Sequence, residues 1–579
     1  MIRRCEFDRA LLLVRRSGVH TEIEARLRPS RVGGRPRQLA VDVFLAALIL
    51  TVMTKKNLAL SLVHEVLTKD LAVSYRIQLG VLTDSQPITV RQVRYLLEAI
   101  ETKLAYTDDR VADLSAYDRA ERRLALQNIF DRLLAACRPS HLPYSGAYAV
   151  DDSGIDSAAR GKRRNWPDSP DSANNAKRRR ARKASAKAAR SNQAPAAGTD
   201  SEEAVPGPAS DEDIDNLVKE AGRPYDPFAR WGYRTRTYDN RSKMVYGYKL
   251  ISFIPLAHLG STEDRPFLVE RVRVVPADTN PVDEAFAVIE SLLDDGIPVT
   301  EVIDDRLFSY SEAGNWACRL RGCGIEQVID LHPNDRGVRD FDGIKMIDGW
   351  PHCPLTPDEL VNIVRPANLS VPPLPKNATA WERIENALRV QELETFRSRI
   401  AERFSWAFRR VQGPDETGKE RYECPAQAGK RRCDRCPMSR HFPDSVPEIE
   451  DVPEDDNPPT CCQQRTVTIP GDVTPKIRQR LYWGSDEWIA SYSRRSRVEG
   501  GFGNLKSPKT EDVRRGFTFV VGAVKAALML VIAQVAANLR CLRQWAQRTG
   551  DRTDPLTWED PEDHGFEELG PDDPGPPEP

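Results

Sequence analysis

A chain of 579 residues that is 40% apolar and 29% charged can bury a large core, and its length allows about four domain-sized pieces. That composition excludes a small disulfide-stapled fold and a membrane protein of many spans. Its 84 Lys and Arg nearly cancel its 86 Asp and Glu, so binding to a polyanion has to come from charge segregated along the chain. The N-terminus, MIRRCEFDRALLLVRRSG, breaks its apolar run with arginines and offers no small-residue cleavage site, which argues against a secretory signal. Five of the eleven cysteines fall between Cys424 and Cys462, a distribution that suits metal ligation in a reducing compartment better than a disulfide framework. A cytoplasmic protein is expected.

Helical periodicity fills residues 36–135 and predicts an all-α N-terminal domain over 1–135. In ITVRQVRYLLEAIETKLAY, Val90, Val93, Leu97, Ile100 and Leu104 form one apolar stripe, and Arg91 and Arg94 lie off it. Those two arginines suit either a solvated face or a helix that enters a DNA groove. A strand, GAYAVDDSG at 146–154, follows. The next stretch, 157–226, is basic and then acidic with almost no large apolar residue, and it is expected to be disordered. Its cluster from Lys177 to Arg190 either adds phosphate contacts through counterion release or is a solvated linker.

Strand periods return in KMVYGYKLISFIP (243–255) and PFLVERVRVV (266–275). A helix in VDEAFAVIESLLDDG, a strand in VTEVIDD, a helix in SYSEAGNWACRLRG and a strand in IEQVIDL come next. The order β-β-β-α-β-α-β over 140–156 and 227–334 predicts an α/β fold, a mixed sheet with flanking helices. Cys318 and Cys323 are expected in the core, and His332 in a loop. An inserted subdomain at 335–480 carries Pro-rich, Cys-containing and acidic stretches, after which a long helical signal runs over 486–547, within a C-terminal helical part at 481–548. The segment 517–539 is long enough to span a bilayer. Lys525, Gln534 and Asn538 interrupt it, and Arg514, Arg515 and Arg540 flank it, so it reads as a core helix packed on the sheet. The tail, 549–579, is acidic and rich in Pro and Gly after Asp551, and disorder is expected there.

Two strands end in acids, Asp151–Asp152 and Asp304–Asp305. Carboxylates at the ends of core strands are costly to bury unless they pair or bind a cation. A third acid lies in WIASYSRRSRVEGGFGNLKS. At about 100° per residue, Tyr492, Arg495, Glu499 and Lys506 project from one helix face within roughly 60°. Such a face suits phosphodiester chemistry, with a carboxylate on a metal and cations at phosphates, or else a surface face with an Arg495–Glu499 ion pair. Gly500, Gly501 and Gly503 should each weaken that helix by about 1 kcal/mol.

The spacing Tyr492-x2-Arg495-x3-Glu499-x6-Lys506 resembles the signature of insertion-sequence DDE transposases with a ribonuclease-H-like catalytic core, and the resemblance covers about residues 140–545 with two insertions. It implies a ribonuclease-H-like mixed sheet, an inserted subdomain before the Glu helix, and an N-terminal domain that binds element ends. Val150-Asp-Asp-Ser153 and Asp305-Arg-Leu-Phe308 match the contexts of the family's first two acids. The implied catalytic and Mg²⁺-binding triad is therefore Asp151, Asp305 and Glu499, with Asp152 and Asp304 as register alternatives. Tyr492, Arg495 and Lys506 would contact DNA around the scissile phosphate. Two Mg²⁺ or Mn²⁺ ions would support cleavage at the element ends and joining of the freed 3′-hydroxyl to target DNA, by a homodimer on paired ends. A transposase-derived repressor that does not cut, and a nuclease that never joins strands, are the competing readings.

Within the insertion, Cys424, Cys433, Cys436 and Cys461, with Cys462 beside them, suit one structural Zn²⁺ knuckle or else free cysteines in a loop-rich subdomain. His441 is a substitute ligand. A zinc there would also turn Arg431, Arg432 and Arg435 toward DNA.

Overall fold

The computed structural model describes residues 2–28, 37–83, 86–107, 111, 113–159, 226–233, 244–309, 311–450, 452 and 458–558. The Lys177–Arg190 cluster and the tail beyond Trp558 lie outside these residues, as does the expected charged insert apart from its two ends.

The N-terminal part is helical: α1 (Arg4–Ser17), α2 (Val19–Leu27), α3 (Val41–Lys55), α4 (Leu60–Glu65), α5 (Val73–Gln78), α6 (Val90–Leu104) and α7 (Ala116–Ala135), with a two-residue pairing of β1 (Leu82–Thr83) and β2 (Gln86–Pro87). Helix α3 is apolar on every side and buried from Val43 to Val52, as expected of a helix at the centre of a core. Helix α6 starts at a capping box in which Thr89 and Gln92 satisfy each other's backbone amides.

The central sheet runs β4 (Arg230–Tyr233), β5 (Met244–Pro255), β3 (Ala147–Asp156), β7 (Glu301–Asp304), β8 (Glu326–Ile329), and β6 (Arg271–Pro276) continues the β4 edge of β5. The pairs β3–β5 and β5–β6 are antiparallel, while β3–β7 and β7–β8 are parallel. The fold is thus α/β with a mixed sheet. One face, with Val150, Phe253 and Val302, packs against α8 (Pro281–Asp294), which buries Val282, Phe286 and Ile289. The opposite face, with Ala149, Leu250 and Ile303, packs against the C-terminal helices.

Beyond β7 come α9 (Arg306–Ser309) and α10 (Ala317–Gly322). The insertion holds one antiparallel sheet of β9 (Val338–Phe341), β10 (Ile344–Ile347) and β11 (Trp350–His352), the long helix α11 (Ala380–Trp406), a second sheet of β12 (Arg409–Gln412), β13 (Glu420–Glu423) and β14 (Val467–Ile469), and the short α12 (Thr460–Gln463). Helices α13 (Asp486–Ser493), α14 (Ser496–Lys506) and α15 (Ala523–Thr549) close the fold.

Several sequence expectations need correction. Strand β3 does not stop at Asp152 but runs to Asp156, because β5 pairs with it over that whole length. The third strand begins at Arg271, not 266, and β4 is an additional edge strand. The helix expected over SYSEAGNWACRLRG is split, with only Ala317 and Leu320 of its second piece facing inward, so Cys318 and Cys323 are exposed and not in the core. The continuous helix over 486–547 is three helices. The apolar one starts at Ala523, after Gly522 at φ 98°, and not at 517.

That helix, α15, is the one described helix apolar and long enough to cross a membrane, and 89% of its apolar window is buried. It lies against α3, α7 and β6, so α1–α7 share one hydrophobic core with the sheet instead of forming a separate one. Its polar residues have internal partners. Lys525 pairs with Glu101 at 2.7 Å, and the Asn538 amide both donates to the Val269 carbonyl (2.8 Å) and accepts from its N–H (3.0 Å). The tail is also packed further than expected. Asp554 binds Arg16 at 2.7 Å and Leu556 is fully buried. The charged insert leaves and returns at one point, where the Ser157 hydroxyl donates to Asp226 at 2.7 Å and the amides of Phe228 and Gly522 also reach that carboxylate.

Candidate active site

Parallel pairing of Ala149 with Ile303 puts Asp151 level with Asp305 one strand over. Because side chains alternate across a sheet, Asp151 and Asp305 share the face covered by α14, and Asp152 and Asp304 belong to the other. Asp304 is fully buried, its carboxylate accepting from the Trp316 indole N–H at 2.6 Å. Burial above all, and then the nearby acids, push its pKa well up, against the help of Trp316. Asp304 is therefore a core acid, turned away from the cleft. Asp152 pairs with Lys249 at 3.4 Å, and burial raises its pKa while Lys249 opposes the rise.

The signature residues come from two helices and not from one stripe. Helix α13 ends at Ser493, and the chain turns through Arg494, whose guanidinium binds Glu301 at the start of β7 and the Ala257 carbonyl (2.9 Å). That anchor rotates Tyr492 inward. It is buried and stacked on Trp488 (5.0 Å between centroids, 6° between planes), with the Arg495 guanidinium over its ring at 5.6 Å. Tyr492 thus supports Arg495 from behind. Helix α14 then carries Glu499 over the sheet. Gly501 allows the close approach, since a Cβ there would lie 2.9 Å from the Phe267 ring, whereas Gly500 and Gly503 face open space.

Arg495 is where the three acids meet. Its guanidinium is 3.2 Å from Asp151, 4.0 Å from Asp305 and hydrogen-bonded to Glu499. Burial and the charge of Asp305 raise the Asp151 pKa to about 7, with Arg495 opposing. Burial works against the charge on Arg495, but Tyr492, Asp305, Glu499 and Asp151 together hold its pKa above the ordinary value. Lys506 donates to the Ser153 hydroxyl (2.6 Å) and the Gly154 carbonyl (2.8 Å).

These groups line a cleft of about 1530 Å³ whose walls also carry Lys56, Asn57, Lys249, Arg514 and Arg515. Sequence reading missed Lys56, from the turn after α3, and Lys249, from β5; only the tertiary fold brings them here, and no local motif marks either. Arg91 and Arg94 are exposed on α6 and are not among the cleft-lining residues.

Among the described residues, no three His, Cys, Asp or Glu side chains are already arranged to hold a metal ion. At this site Arg495 lies among the three carboxylates, whose oxygens are of the hard donor type that Mg²⁺ and Mn²⁺ take. No protein-family model, curated protein or solved structure matches the chain.

In the insertion, Cys353, Cys424, Cys433, Cys436, Cys461 and Cys462 line one cavity; Cys353 was not anticipated, and His441 is exposed and not among the lining residues. Arg431 lies over the Trp406 ring and Arg432 pairs with Asp444 and Glu448, so these two are engaged within the insertion.

Proposed function

We propose that this protein is a DDE-type DNA transposase with a ribonuclease-H-like core, which binds element ends, cleaves them and transfers the strand to target DNA. The observation that carries the reading is the convergence of Asp151, Asp305 and Glu499 on Arg495 at the floor of a cleft edged by lysines and arginines. The mixed sheet, with its antiparallel β3–β5–β6 part joined through β3 to the parallel β7 and β8, supports the fold that the signature resemblance implies.

Asp151, Asp305 and Glu499 would hold the divalent cations, which when bound polarise the attacking oxygen and stabilise the leaving one. A DNA phosphate entering the cleft offers Arg495 a new anion and releases the carboxylates from it. Lys506, held against Ser153 and Gly154, and Lys249, held against Asp152, place positive charge beside the scissile phosphate. Displacement at phosphorus then forms one P–O bond, from water or a DNA 3′-hydroxyl, and breaks the one opposite.

Cleavage of DNA carrying the ends of the element that encodes the protein, in Mg²⁺ or Mn²⁺, tests this. The wild type should nick the ends and join them to target. Asp151→Asn, Asp305→Asn and Glu499→Gln should still bind but cut roughly a hundredfold or more slowly, the scale on which loss of one charge-stabilising group acts. A wild type that binds ends and cuts in neither metal would be a repressor; one that cuts and never joins would be a nuclease.

A further inference from the structure

Part of the insertion joins the main core of the molecule, through Ile363, Leu393, Phe396, Ile400, Ala407 and Ile477. Away from that core, two small apolar clusters hold it, one of Ile344, Met346, Phe408, Tyr422, Cys461, Val467 and Ile469, the other of Leu360, Trp406 and Ile449. Between them lies a cavity of about 330 Å³ with six cysteines in its wall. Cys353 packs against both clusters, Cys424 and Cys462 against the first, and Cys433 against the second. None of these thiols is in a disulfide.

The six are not equivalent. Cys461 is 4% exposed and is a member of the first apolar cluster, although it also reaches the cavity wall. Its neighbour Cys462 faces the cavity, close to Cys424, Cys433 and Cys353, with Arg435 against it. Cys433 and Cys436 form a two-residue-spaced knuckle on a turn closed by the Cys436 N–H donating to the Cys433 carbonyl at 2.9 Å. The Gln427 N–H points at the Cys424 sulfur at 3.4 Å, the donor that a coordinating thiolate uses.

We infer that Cys424, Cys433, Cys436 and Cys462 form a structural Zn²⁺ site that ties the two halves of the insertion together, with Cys462, not Cys461, as the fourth ligand. The thiols stand apart in the present arrangement, with no three yet around one point. Zn–S bonds of about 2.3 Å bring tetrahedral sulfurs to about 3.8 Å from one another, and the cavity is the space across which they close. Four sulfurs with no carboxylate or water partner select zinc over the hard cations of the catalytic cleft. Binding releases the thiol protons and adds its free energy to folding of the insertion.

The test uses the full chain, purified reduced and dialysed against metal-free buffer without chelator. Elemental analysis should find about one zinc per chain, and protein produced with Co²⁺ in place of Zn²⁺ should show sulfur-to-cobalt charge-transfer absorption and the intense visible bands of a tetrahedral thiolate site. Cys462→Ser and Cys436→Ser should lose the ion and become protease-sensitive within 335–480, while Cys461→Ala and the exposed Cys318→Ser keep it. Asp151→Asn should keep its zinc whatever its cleavage activity, which separates this inference from the proposed function. Wild-type protein with no zinc and no cobalt–thiolate absorption, or with iron in its place, would overturn the site without recourse to any variant. Loss of the ion from Cys461→Ala but not from Cys462→Ser would overturn the ligand assignment.

Discussion

Arg495 lies among the three carboxylates that the proposed function gives to a metal, and the behaviour of the free protein follows from that. The guanidinium is an internal counter-ion for Asp151, Asp305 and Glu499. Arg495→Gln should therefore bind Mn²⁺ more tightly than the wild type in the absence of DNA, by roughly tenfold for the loss of one competing charge, while cutting DNA more slowly. Titration followed by Mn²⁺ electron paramagnetic resonance would measure the first effect. A wild type that binds Mn²⁺ as tightly as the variant would show that Arg495 does not compete. The proton on Asp151 sets a second dependence. Its pKa in the fold, about 7, lies above the ordinary carboxylate value, so the folded protein keeps a proton that the unfolded chain gives up. The stability it contributes is complete below about pH 4 and is lost as pH rises through about 7. In urea unfolding without metal, the wild type should lose stability relative to Asp151→Asn over that window. Mn²⁺ affinity, which needs the carboxylate ionised, should rise by about tenfold per pH unit up to about pH 7.

Helix α14 shows how a locally unfavourable sequence serves a packing requirement. Its three glycines lower helix propensity, yet only Gly501 faces a neighbour close enough to forbid a side chain; Gly500 and Gly503 face open space on the exposed side. Gly500→Ala and Gly503→Ala should each stabilise the free protein by about 1 kcal/mol, and Gly501→Ala should destabilise it by roughly 1–3 kcal/mol through overpacking against Phe267. Shifts in urea midpoint distinguish the three. If either outer alanine also slows cleavage, DNA backbone runs along that side of the helix. The same stretch shows where sequence reading ends. The acids and their spacing from Arg495 and Lys506 were legible because strand alternation and the motif are local. The break between α13 and α14 was not, because it depends on Arg494 reaching Glu301 and Ala257, residues distant in sequence. Cys318 and Cys323 were misassigned for a related reason: a single helix was read where Trp316 turns inward to Asp304 and resets the phase.

At the scale of the molecule, helices expected to form a domain of their own are built into the half that holds the central sheet, through α15. The succession of central-sheet strands along the chain was readable from periodicity apart from β4, but nothing in residues 1–135 announces that their core is completed by residues 523–549. The Asn538 side chain ties α15 to the chain entering β6 by occupying both backbone groups of Val269. Asn538→Ala leaves that buried N–H and C=O without partners and should cost roughly 1–3 kcal/mol, visible as a lower melting temperature of the whole chain in one transition. The shared core also places Lys56 in the cleft. Lys56→Gln should weaken binding to end DNA and to unrelated DNA alike and reduce the salt dependence of binding by about one unit of slope. An unchanged slope would mean that the lysine only holds the carbonyls of Pro508 and Lys509, at 3.1 Å each.

The bond between Ser157 and Asp226 closes the fold behind whatever lies between them. Strand β3 stays in the sheet through its pairing with β5, and Asp226 is held by the amides of Phe228 and Gly522, so neither side of that junction relies on the covalent connection to stay in place. The protein is thus divisible: two polypeptides ending and starting between residues 160 and 225, produced together, should assemble into a unit with the cleft intact.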